Sequence, residues 1–314
     1  MELYASTVWA NGGFRSYADA RVGLMTHGLQ YGTGCFEGIR GFWNAEEREL
    51  YLLHLREHFE RMRLSTNVLM MKLPHDTDEL VRLTIELCAR NGFEENVYIR
   101  PVAYKAGEDV GVRLAGVPDA FAIVAVPYRR YYEIDDGIKA CVSSWRRTDD
   151  TSIPARAKIT GNYVNSALAK SEAQLNGFDE AIMLSHDGHV SEGSADNLFL
   201  VRDKMLHTPD ASQNVLEGIT RNTIATIARA EGLEVRERTI DRSELYGADE
   251  VFVTGTAAGV IGIASIDHRT VGAGGVGPVT RKLGEIYNEA CFGRVPSYKK
   301  WLTPTYADRR VGAA

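Results

Sequence analysis

The sequence predicts a two-domain protein of mixed α+β or α/β structure. Its 314 residues amount to about twice the length of an average domain. Short apolar runs typical of strands alternate with segments of helical periodicity in both halves of the chain. A polar, aromatic and turn-rich stretch at 127–137 separates the halves. We therefore expect a small N-terminal α/β domain at 1–126, a linker at 127–137 and a larger C-terminal domain at 138–314.

The composition is that of an ordinary soluble globular protein, with 44% hydrophobic and 25% charged residues. A net charge of -6 argues against a general partner for nucleic acid or anionic membranes. No apolar run has the length of a membrane span, and the N-terminus lacks the pattern of a signal peptide. Four widely spaced cysteines without a Cys-x-x-Cys pair are typical of reduced thiols. We expect a cytoplasmic protein.

The first half is predicted to combine short strands with two helices. The predicted strands lie within 4–24 and at 50–53, 97–104 and 120–126, and the predicted helices lie at 56–71 and 76–90. Asn11-Gly12-Gly13 is a hairpin signal between two of the strands. The glycines and the proline of 105–119 predict a mobile loop. The two-residue period of a strand places Tyr98 and Arg100 on one face, where the arginine requires either a structural acid or a substrate carboxylate.

The second half is predicted to alternate strands and helices. The predicted strands lie at 138–144, at 181–184, from 190 onward and at 250–255. The predicted helices lie at 161–175, from just after Thr220 to about 231, at 241–246 and at 278–292. Asp187-Gly188 is a turn dipeptide that joins two of these strands. Glycine boundaries after 255 and at 272–277 predict tight turns.

A glycine-rich window at 27–41 is typical of backbone that lies close to another group. Five glycines occur in this window, and aromatic side chains with one acid stand between them. Such a mixture suits the wall of a small-molecule pocket. Glycines that only allow close packing in an α+β core would give the same pattern, so both interpretations remain open.

The segment Ala155–Tyr163 places a single lysine, Lys158, after two alanines and just before a small-residue turn that opens a predicted helix. A lysine that forms an imine benefits from partial desolvation, because desolvation lowers its pKa and frees the amine lone pair. The segment therefore favours a lysine that binds pyridoxal phosphate. The alternative is an ordinary lysine at a helix N-terminus.

The second half also offers the other groups that pyridoxal phosphate requires. Glu192, between two small residues, could face the pyridine nitrogen, and Tyr163 could reach the phenolate oxygen. The phosphate could bind at Gly218-Ile219-Thr220, where a helix begins, or at the Gly255-Thr256-Ala257 turn, with Arg56 for charge balance. Each signal is weak alone, since helix caps, turns, exposed acids and core tyrosines are common.

A zinc peptidase is the rival hypothesis from another class. His54, Glu57 and His58 match an H-x-x-E-H pattern, in which two histidines four residues apart share a helix face. Short matches of this kind arise by chance, and no later acid stands out as a third ligand. We therefore expect no metal site.

These segments together resemble the branched-chain aminotransferase family, which are fold-type IV pyridoxal-phosphate enzymes with a D-amino-acid-aminotransferase-like fold. The blocks that carry the resemblance are 31–40, 54–58, 98–101, 158–163, 191–193, 197–199, 216–221 and 255–258, in matching order and spacing. The resemblance implies a cofactor-binding C-terminal domain and an active site between the two domains. It also implies at least a homodimer, in which a loop of the partner subunit closes the site.

The resemblance further implies the roles of individual residues. Lys158 is the Schiff-base lysine and proton shuttle, Glu192 contacts the pyridine nitrogen, and Tyr163 contacts the phenolate oxygen. The other implied cofactor contacts are Arg56, Leu216, Ile219, Thr220 and Thr256. The implied substrate contacts are Tyr31, Phe36, Gly38, Tyr98, Arg100, Thr256 and Ala257. The implied reaction is transamination between a branched-chain L-amino acid (leucine, isoleucine or valine) and 2-oxoglutarate.

The loop after the predicted strand 97–104 departs from the family pattern. Relatives that use branched-chain substrates tend to carry Gly-Met-Gly-Val there, whereas this chain has Gly107–Arg113 with Lys105 nearby. The extra cations could bind a second carboxylate. They could also suit a transaminase for (R)-amines or D-amino acids, or a lyase acting on aminodeoxychorismate, so the departure leaves the substrate open.

Overall fold

The computed structural model describes residues 7–128 and 136–307. Its helices are α1 (His27–Tyr31), α2 (Leu55–Val68), α3 (Thr77–Asn91), α4 (Tyr163–Leu175), α5 (Ile219–Ala230) and α6 (Pro278–Cys291). Its strands are β1 (Thr7–Ala10), β2 (Gly13–Ser16), β3 (Gly34–Phe36), β4 (Ile39–Asn44), β5 (Glu49–Leu53), β6 (Val97–Lys105), β7 (Asp119–Pro127), β8 (Ile138–Arg146), β9 (Glu180–Leu184), β10 (Val190–Gly193), β11 (Asn197–Arg202), β12 (Met205–Thr208), β13 (Val235–Glu237), β14 (Glu250–Gly255), β15 (Gly259–Ile266), β16 (Arg269–Thr270) and β17 (Leu302–Pro304).

The described residues form two compact units. The first comprises 7–128, 157–161 and 289–307, and the second comprises 136–156 and 162–288. The domain bounds predicted from the sequence, 1–126 and 138–314, remain a prediction. Most of the predicted linker at 127–137 lies outside the described residues.

The first unit contains an antiparallel sheet in the order β17-β5-β4-β6-β7-β1-β2, with β3 paired beside β6. The longest ladder joins β6 to β7 and runs from Val97 opposite Pro127 to Lys105 opposite Asp119. Buried and half-buried residues alternate along β6, as the two-residue period of a strand requires. Tyr98 and Arg100 therefore lie on one face, which confirms the prediction made from the sequence.

A short segment far along the sequence is bound to the first unit through tight backbone contacts. Ile159 forms an antiparallel bridge to Cys35. The Gly161 N–H donates to the Gly32 carbonyl at 3.1 Å, and the Thr160 hydroxyl donates to the Gly34 carbonyl at 2.6 Å. The three residues that follow Lys158 are thus held by the glycine-rich window of the first unit.

The second unit is built on a mixed sheet in the order β10-β9-β8-β15-β14-β11-β12-β13, with β16 beside β15. β8 runs parallel to both of its neighbours, β9 and β15. A buried apolar cluster drawn from six of these strands and the segments beside them forms its core. α4 packs on β8 and β9, and α5 packs on β14 through the buried side chains Ile224, Ile227 and Ala228.

Most predicted helices and strands are confirmed, and their caps follow the expected chemistry. Asp76 caps α3 by accepting a hydrogen bond from the Glu79 N–H at 2.9 Å, and Gly92 ends the helix with φ +65°. The hairpin at Asn11-Gly12 joins β1 to β2. No helix or strand occurs in 106–118, where a loop was predicted.

Two predictions were wrong. Strands were predicted throughout 4–24, but a 3-10 turn at Tyr17–Asp19 follows β2, and no strand occurs in 17–24. The second concerns strands that were not predicted, namely β3, β4, β12, β13, β15, β16 and β17. β15 was missed because Gly259 was interpreted as the boundary of a turn. A Cβ on Gly262 would lie 3.0 Å from a methyl group of Val276, so close packing explains this glycine.

Among residues 7–128 and 136–307, every helix is too short or too polar to span a lipid bilayer. The four cysteines are all buried and unbridged.

We expect Gly32→Ala to destabilise the protein more than Gly92→Ala. Both glycines end a helix in the left-handed region, with φ +67° and +65°, so alanine costs about 1–2 kcal/mol at either position. A Cβ on Gly32 would also lie 2.7 Å from the Gly161 Cα, whereas a Cβ on Gly92 would meet nothing within 4 Å. Overpacking should add about 1–3 kcal/mol at Gly32. Urea unfolding of both variants measures the difference, and equal losses would contradict the proposed contact.

Candidate active site

The backbone of Lys158 is fixed on both sides within the first unit. Its N–H donates to the Ser65 hydroxyl at 2.9 Å, and its carbonyl accepts from the Phe36 N–H at 3.1 Å. Ser65 is fully buried in α2. The half-buried side chain places Nζ 5.1 Å from the centre of the Phe36 ring. The amine is therefore directed to a defined place.

Four of the predicted substrate residues lie together in the first unit. Arg100 donates to the Tyr98 hydroxyl at 2.9 Å, and its guanidinium lies 4.4 Å from the centre of the Phe36 ring. A Cβ on Gly38 would lie 2.1 Å from the Tyr98 hydroxyl, so only glycine fits there. The sequence analysis missed Tyr128, whose ring packs 5.1 Å from that of Tyr98. Phe36 and Lys158 share a contact, so the cluster adjoins the lysine.

Tyr31 lies at the end of α1 and is partly exposed. Its hydroxyl accepts from the Gly111 N–H at 3.3 Å, and its ring packs 4.7 Å from that of His27. These contacts place Tyr31 beside the loop 106–118. Its role in substrate binding stays a prediction.

Lys105 does not provide a cation for a substrate. Its side chain is buried, and its ammonium pairs with Asp119 at 2.8 Å and donates to the Met70 carbonyl at 2.8 Å. The suggestion that it could bind a second carboxylate is corrected here. A buried lysine keeps its charge at low cost only when it is paired in this way.

Arg56 lies in the first turn of α2 with an exposed side chain, and it forms an ion pair with Asp78. Arg61 lies on the inner side of the same helix. It donates from Nε and Nη2 to the two carboxylate oxygens of Glu37, at 2.8 and 2.7 Å. The structure does not favour Arg56 as a phosphate ligand, and the sequence analysis missed Arg61. The i, i+4 relation of Arg61 to Ser65 was the available signal.

Glu37 is a fully buried anion whose partners outweigh the cost of burial. Burial alone would raise its pKa, but the charge and hydrogen bonds of Arg61, together with a bond from His58, hold it well below the ordinary range. His58 Nδ1 lies 2.7 Å from a Glu37 oxygen, and burial lowers the pKa of His58 despite this contact. Because a carboxylate only accepts, neutral His58 must carry its proton on Nδ1.

Glu192 is the buried carboxylate of the second unit. One oxygen pairs with Arg147 at 2.7 Å. The other accepts from the Asn197 amide and from the Leu216 N–H, each at 3.0 Å. A cation and two neutral donors from separate segments thus hold the acid. This arrangement keeps the carboxylate in a fixed orientation, as an anion that binds a positively charged partner requires. The sequence analysis assigned no role to Arg147 or Asn197.

The remaining predicted cofactor residues lie at the start of helices or in a turn of the second unit. Gly218 precedes α5, and no side chain caps the helix, so the first N–H groups, those of Ile219 and Thr220, stand where an anion is favoured. Thr256 and Ala257 form the turn between β14 and β15. Tyr163 opens α4 and is half-buried.

Two glycines keep these turns close to neighbouring side chains. A Cβ on Gly218 would lie 1.9 Å from the Asn197 amide oxygen, and a Cβ on Gly255 would lie 1.9 Å from the Asp196 carboxylate. The backbone therefore packs directly against Asn197 and Asp196, and only glycine fits at either position. Together with the buried anion Glu192, this donor set fits the phosphate and ring nitrogen of pyridoxal phosphate.

The histidines of the H-x-x-E-H pattern already bind carboxylates. His54 Nδ1 lies 3.1 Å from Glu57, the expected general base, and His58 binds Glu37. Within 7–128 and 136–307, no three His, Cys, Asp or Glu side chains come together in a way that could hold a metal ion. The arrangement gives the zinc hypothesis no support.

A family model for amino-transferase class IV matches residues 34–266. The chain belongs to the class IV aminotransferases. A curated relative from Aquifex aeolicus, named a probable branched-chain-amino-acid aminotransferase, is 47% identical over 92% of this chain and 93% of its own length. The class IV assignment makes this protein an enzyme and replaces the peptidase hypothesis.

Solved structures of class IV relatives have the same fold. The branched-chain aminotransferase of Thermoproteus uzoniensis with norvaline is 41% identical, with a TM-score of 0.91 over 96% of this chain and 99% of that one. The T.th. branched-chain amino acid aminotransferase complexed with N-(5'-phosphopyridoxyl)-L-glutamate has the same identity, TM-score and coverage. The expected two-domain, fold-type IV architecture and the family's dependence on pyridoxal phosphate are confirmed.

We expect His58→Gln to reduce the loss of stability between pH 6.5 and 5. The folded-state pKa of His58 is lowered from 6.5, so the unfolded chain takes up a proton in this range before the folded protein does. The unfolding free energy of the parent protein should then fall by up to about 1.4 kcal/mol per pH unit. The window lies above 4.5, the ordinary pKa of Glu37, so that acid does not contribute. The unfolding free energy of both proteins is measured by urea unfolding at several pH values in this window. If it falls equally with pH in the two proteins, the assignment is contradicted.

Proposed function

We propose that the protein is a transaminase that moves the amino group between a branched-chain L-amino acid and 2-oxoglutarate. The observation that carries this proposal is the Phe36 cluster (Phe36, Gly38, Tyr98 and Arg100), in which the Arg100 guanidinium lies against two aromatic rings. Support also comes from the relatives, which are named for branched-chain substrates and include complexes with norvaline and with a glutamate adduct.

The Phe36 cluster can accept two kinds of side chain. The rings of Phe36 and Tyr98 offer apolar surface for leucine, isoleucine or valine, and Gly38 leaves the Tyr98 hydroxyl in place. In the part of the chain that the structure describes, Arg100 contacts a hydroxyl and aromatic rings but no carboxylate. The sequence left two possible partners for Arg100, a structural acid and a substrate carboxylate. The absence of an acid from these contacts supports the substrate carboxylate.

Pyridoxal phosphate, when bound, supplies an aldehyde and an electron-withdrawing ring that stabilises charge at the substrate's α-carbon. We assign the covalent attachment to Lys158 Nζ, the ring-nitrogen contact to Glu192 and the phenolate contact to Tyr163. The proposed phosphate contacts are Ile219, Thr220 and Thr256, and Leu216 is proposed to pack on the ring. Thr256 and Ala257 are proposed to offer N–H groups to the substrate carboxylate.

Lys158 is proposed to move the α-proton of the substrate. Its Nζ would accept the proton as a general base and return it as a general acid. The hydrogen bonds from Lys158 to Ser65 and Phe36 fix its backbone, so the amine moves only through its own side-chain rotations. This restriction keeps the amine within reach of the reacting carbon, which lowers the entropic cost of the step.

We propose Arg61, in place of Arg56, as the cation for the cofactor phosphate. Arg61 lies on the helix face that carries Ser65, which binds Lys158 directly. Glu37 fixes the guanidinium through two hydrogen bonds and leaves little rotational freedom to lose on binding. Arg56 is exposed and would have to leave Asp78.

We further propose that the protein is a cytoplasmic homodimer or a higher homo-oligomer. Leu24, Leu29, Val110 and Val112 are exposed by 59% or more and lie in the segments on either side of the contact between Tyr31 and Gly111. Apolar patches of this kind mark interaction surfaces. A second copy of the chain would cover the patch, as the family resemblance implies. The unbridged cysteines support a reducing compartment.

An amino-donor panel tests the substrate class. We expect L-leucine to convert the bound cofactor from its aldehyde to its amine form, and 2-oxoglutarate to reverse this conversion. D-alanine and (R)-1-phenylethylamine should give no conversion, since Lys105, one of the extra cations that could suit such substrates, is already paired with Asp119. Absorbance spectra of each half-reaction provide the measurement.

The control for the panel is borohydride reduction followed by peptide mapping, which should locate the cofactor on Lys158. If D-alanine or the (R)-amine converts the cofactor and L-leucine does not, the protein is instead a transaminase for D-amino acids or (R)-amines. Release of pyruvate from aminodeoxychorismate would instead indicate the lyase. Stoichiometric zinc in colourless protein would overturn the whole assignment.

We expect Arg61, and not Arg56, to contribute to cofactor affinity. Removing Arg61 alone would leave Glu37 buried without its main cation, so the comparison uses Glu37→Gln with and without Arg61→Gln. A charged hydrogen bond contributes about 1.5–3 kcal/mol, which corresponds to a roughly ten- to hundredfold weaker affinity for pyridoxal phosphate. Arg56→Gln, the matched control, should change the affinity by less than about twofold. Equilibrium titration of apoprotein measures both values, and the reverse order would restore the prediction for Arg56.

A further inference from the structure

Arg147 is a buried arginine in the second unit that the proposed reaction does not yet use. It follows β8 directly, and its backbone N–H donates to the Leu184 carbonyl at 2.8 Å. Its side chain is 9% exposed, and Nη2 lies 2.7 Å from a Glu192 oxygen. The guanidinium therefore touches the acid that is proposed to face the ring nitrogen.

The two oxygens of Glu192 are held by donors of different character. Arg147 binds one oxygen and brings a full positive charge. Asn197 and the Leu216 N–H bind the other oxygen and bring none. Orientation of the carboxylate is thus shared among three contacts, whereas its charge is balanced by Arg147 alone among them.

Arg147 forms fewer hydrogen bonds than its burial calls for. Its Nε and Nη1 atoms are buried without a hydrogen-bond partner in the described residues. Unmet buried donors are costly, and native proteins keep few of them. An arginine whose only role is to link strands would be expected to form hydrogen bonds with its Nε and Nη1 atoms. The arrangement indicates that the residue is retained for its charge beside Glu192.

We propose that Arg147 is a positioning residue that keeps the shared proton on the cofactor's ring nitrogen and off Glu192. The inference rests on the proposed function, because it requires Glu192 to face that nitrogen. A proton between a carboxylate and a pyridine can reside on either group. Transfer to Glu192 would neutralise the carboxylate and remove its attraction to Arg147. The cation therefore favours the charge-separated pair, in which the ring is protonated and withdraws electrons most strongly.

The position of the proton can be read directly in protein reconstituted with pyridoxal phosphate labelled with ¹⁵N in the ring. We expect the parent protein to give the ¹⁵N chemical shift of a protonated ring. Arg147→Met, which removes the charge but keeps much of the volume, should move the shift toward that of a neutral pyridine. Arg147→Lys retains the charge and should stay close to the parent. Glu192→Gln provides the reference for a ring without its acid.

Steady-state kinetics add a second readout. Arg147→Met should lower kcat with little change in KM for L-leucine, because ring protonation affects the reacting carbon more than substrate binding. Arg147→Lys should recover most of kcat. Loss of stability alone would lower the amount of active protein without moving the ¹⁵N shift of the folded fraction.

Each outcome decides the proposal. A protonated ring in folded Arg147→Met would overturn it and leave the proposed function intact. If the methionine variant does not fold, Arg147→Lys decides, since a neutral ring in that variant would show that charge is not the cause. Failure of the parent protein to retain cofactor after borohydride treatment would overturn the proposed function and this inference together.

Discussion

The pair of hydrogen bonds that fixes the Lys158 backbone is the contact on which the rest of the site depends. Ser65 binds its N–H and Phe36 binds its carbonyl, both within the first unit. The segment around Lys158 is too short to hold a conformation by itself. Its geometry is therefore imposed by α2 and by the glycine-rich window, and Gly32 and Gly161 allow the two backbones to approach closely. A catalytic amine needs such a fixed origin, because small displacements of a reacting group cost large factors in rate.

Two buried carboxylates illustrate how electrostatics can overcome desolvation. Burial would raise the pKa of Glu37, but two hydrogen bonds from Arg61 and one from His58 reverse the direction. Glu192 combines one arginine with two neutral donors. Glu37 draws these donors from one helix, α2, whereas Glu192 draws its donors from separate segments of the chain, so both sets of contacts depend on correct packing. Loss of one partner would leave a buried charge uncompensated, which is more costly than the pair itself is stabilising.

Local periodicity predicted the parts of the site that one element fixes by itself. The alternation of β6 placed Tyr98 and Arg100 together, and small residues around Lys158 marked a constrained lysine. Contacts between distant segments could not be derived in this way. Nothing near Arg147 in the sequence indicates that it meets Glu192, and the Arg146-Arg147 pair resembles a solvated surface. Arg61, which we propose in place of Arg56, stands one helical turn before Ser65, but the burial of Ser65 is known only from the structure. The fold was predictable largely because family blocks occurred in order, whereas glycine-containing strands such as β15 gave a turn signal.

The close approach of Gly38 to Tyr98 explains how one pocket could serve apolar and acidic substrates. Without a Cβ at position 38, the Tyr98 hydroxyl can stay where Arg100 donates to it at 2.9 Å. The guanidinium is then partly satisfied by a neutral oxygen and by the face of Phe36, so an apolar substrate does not leave it wholly unpaired. A carboxylate would bind the same group more strongly, because both partners carry charge. If Arg100 binds the substrate as proposed, selectivity between the two substrates depends on whether a substrate carboxylate replaces the contacts of Arg100 with the Tyr98 hydroxyl and the Phe36 ring.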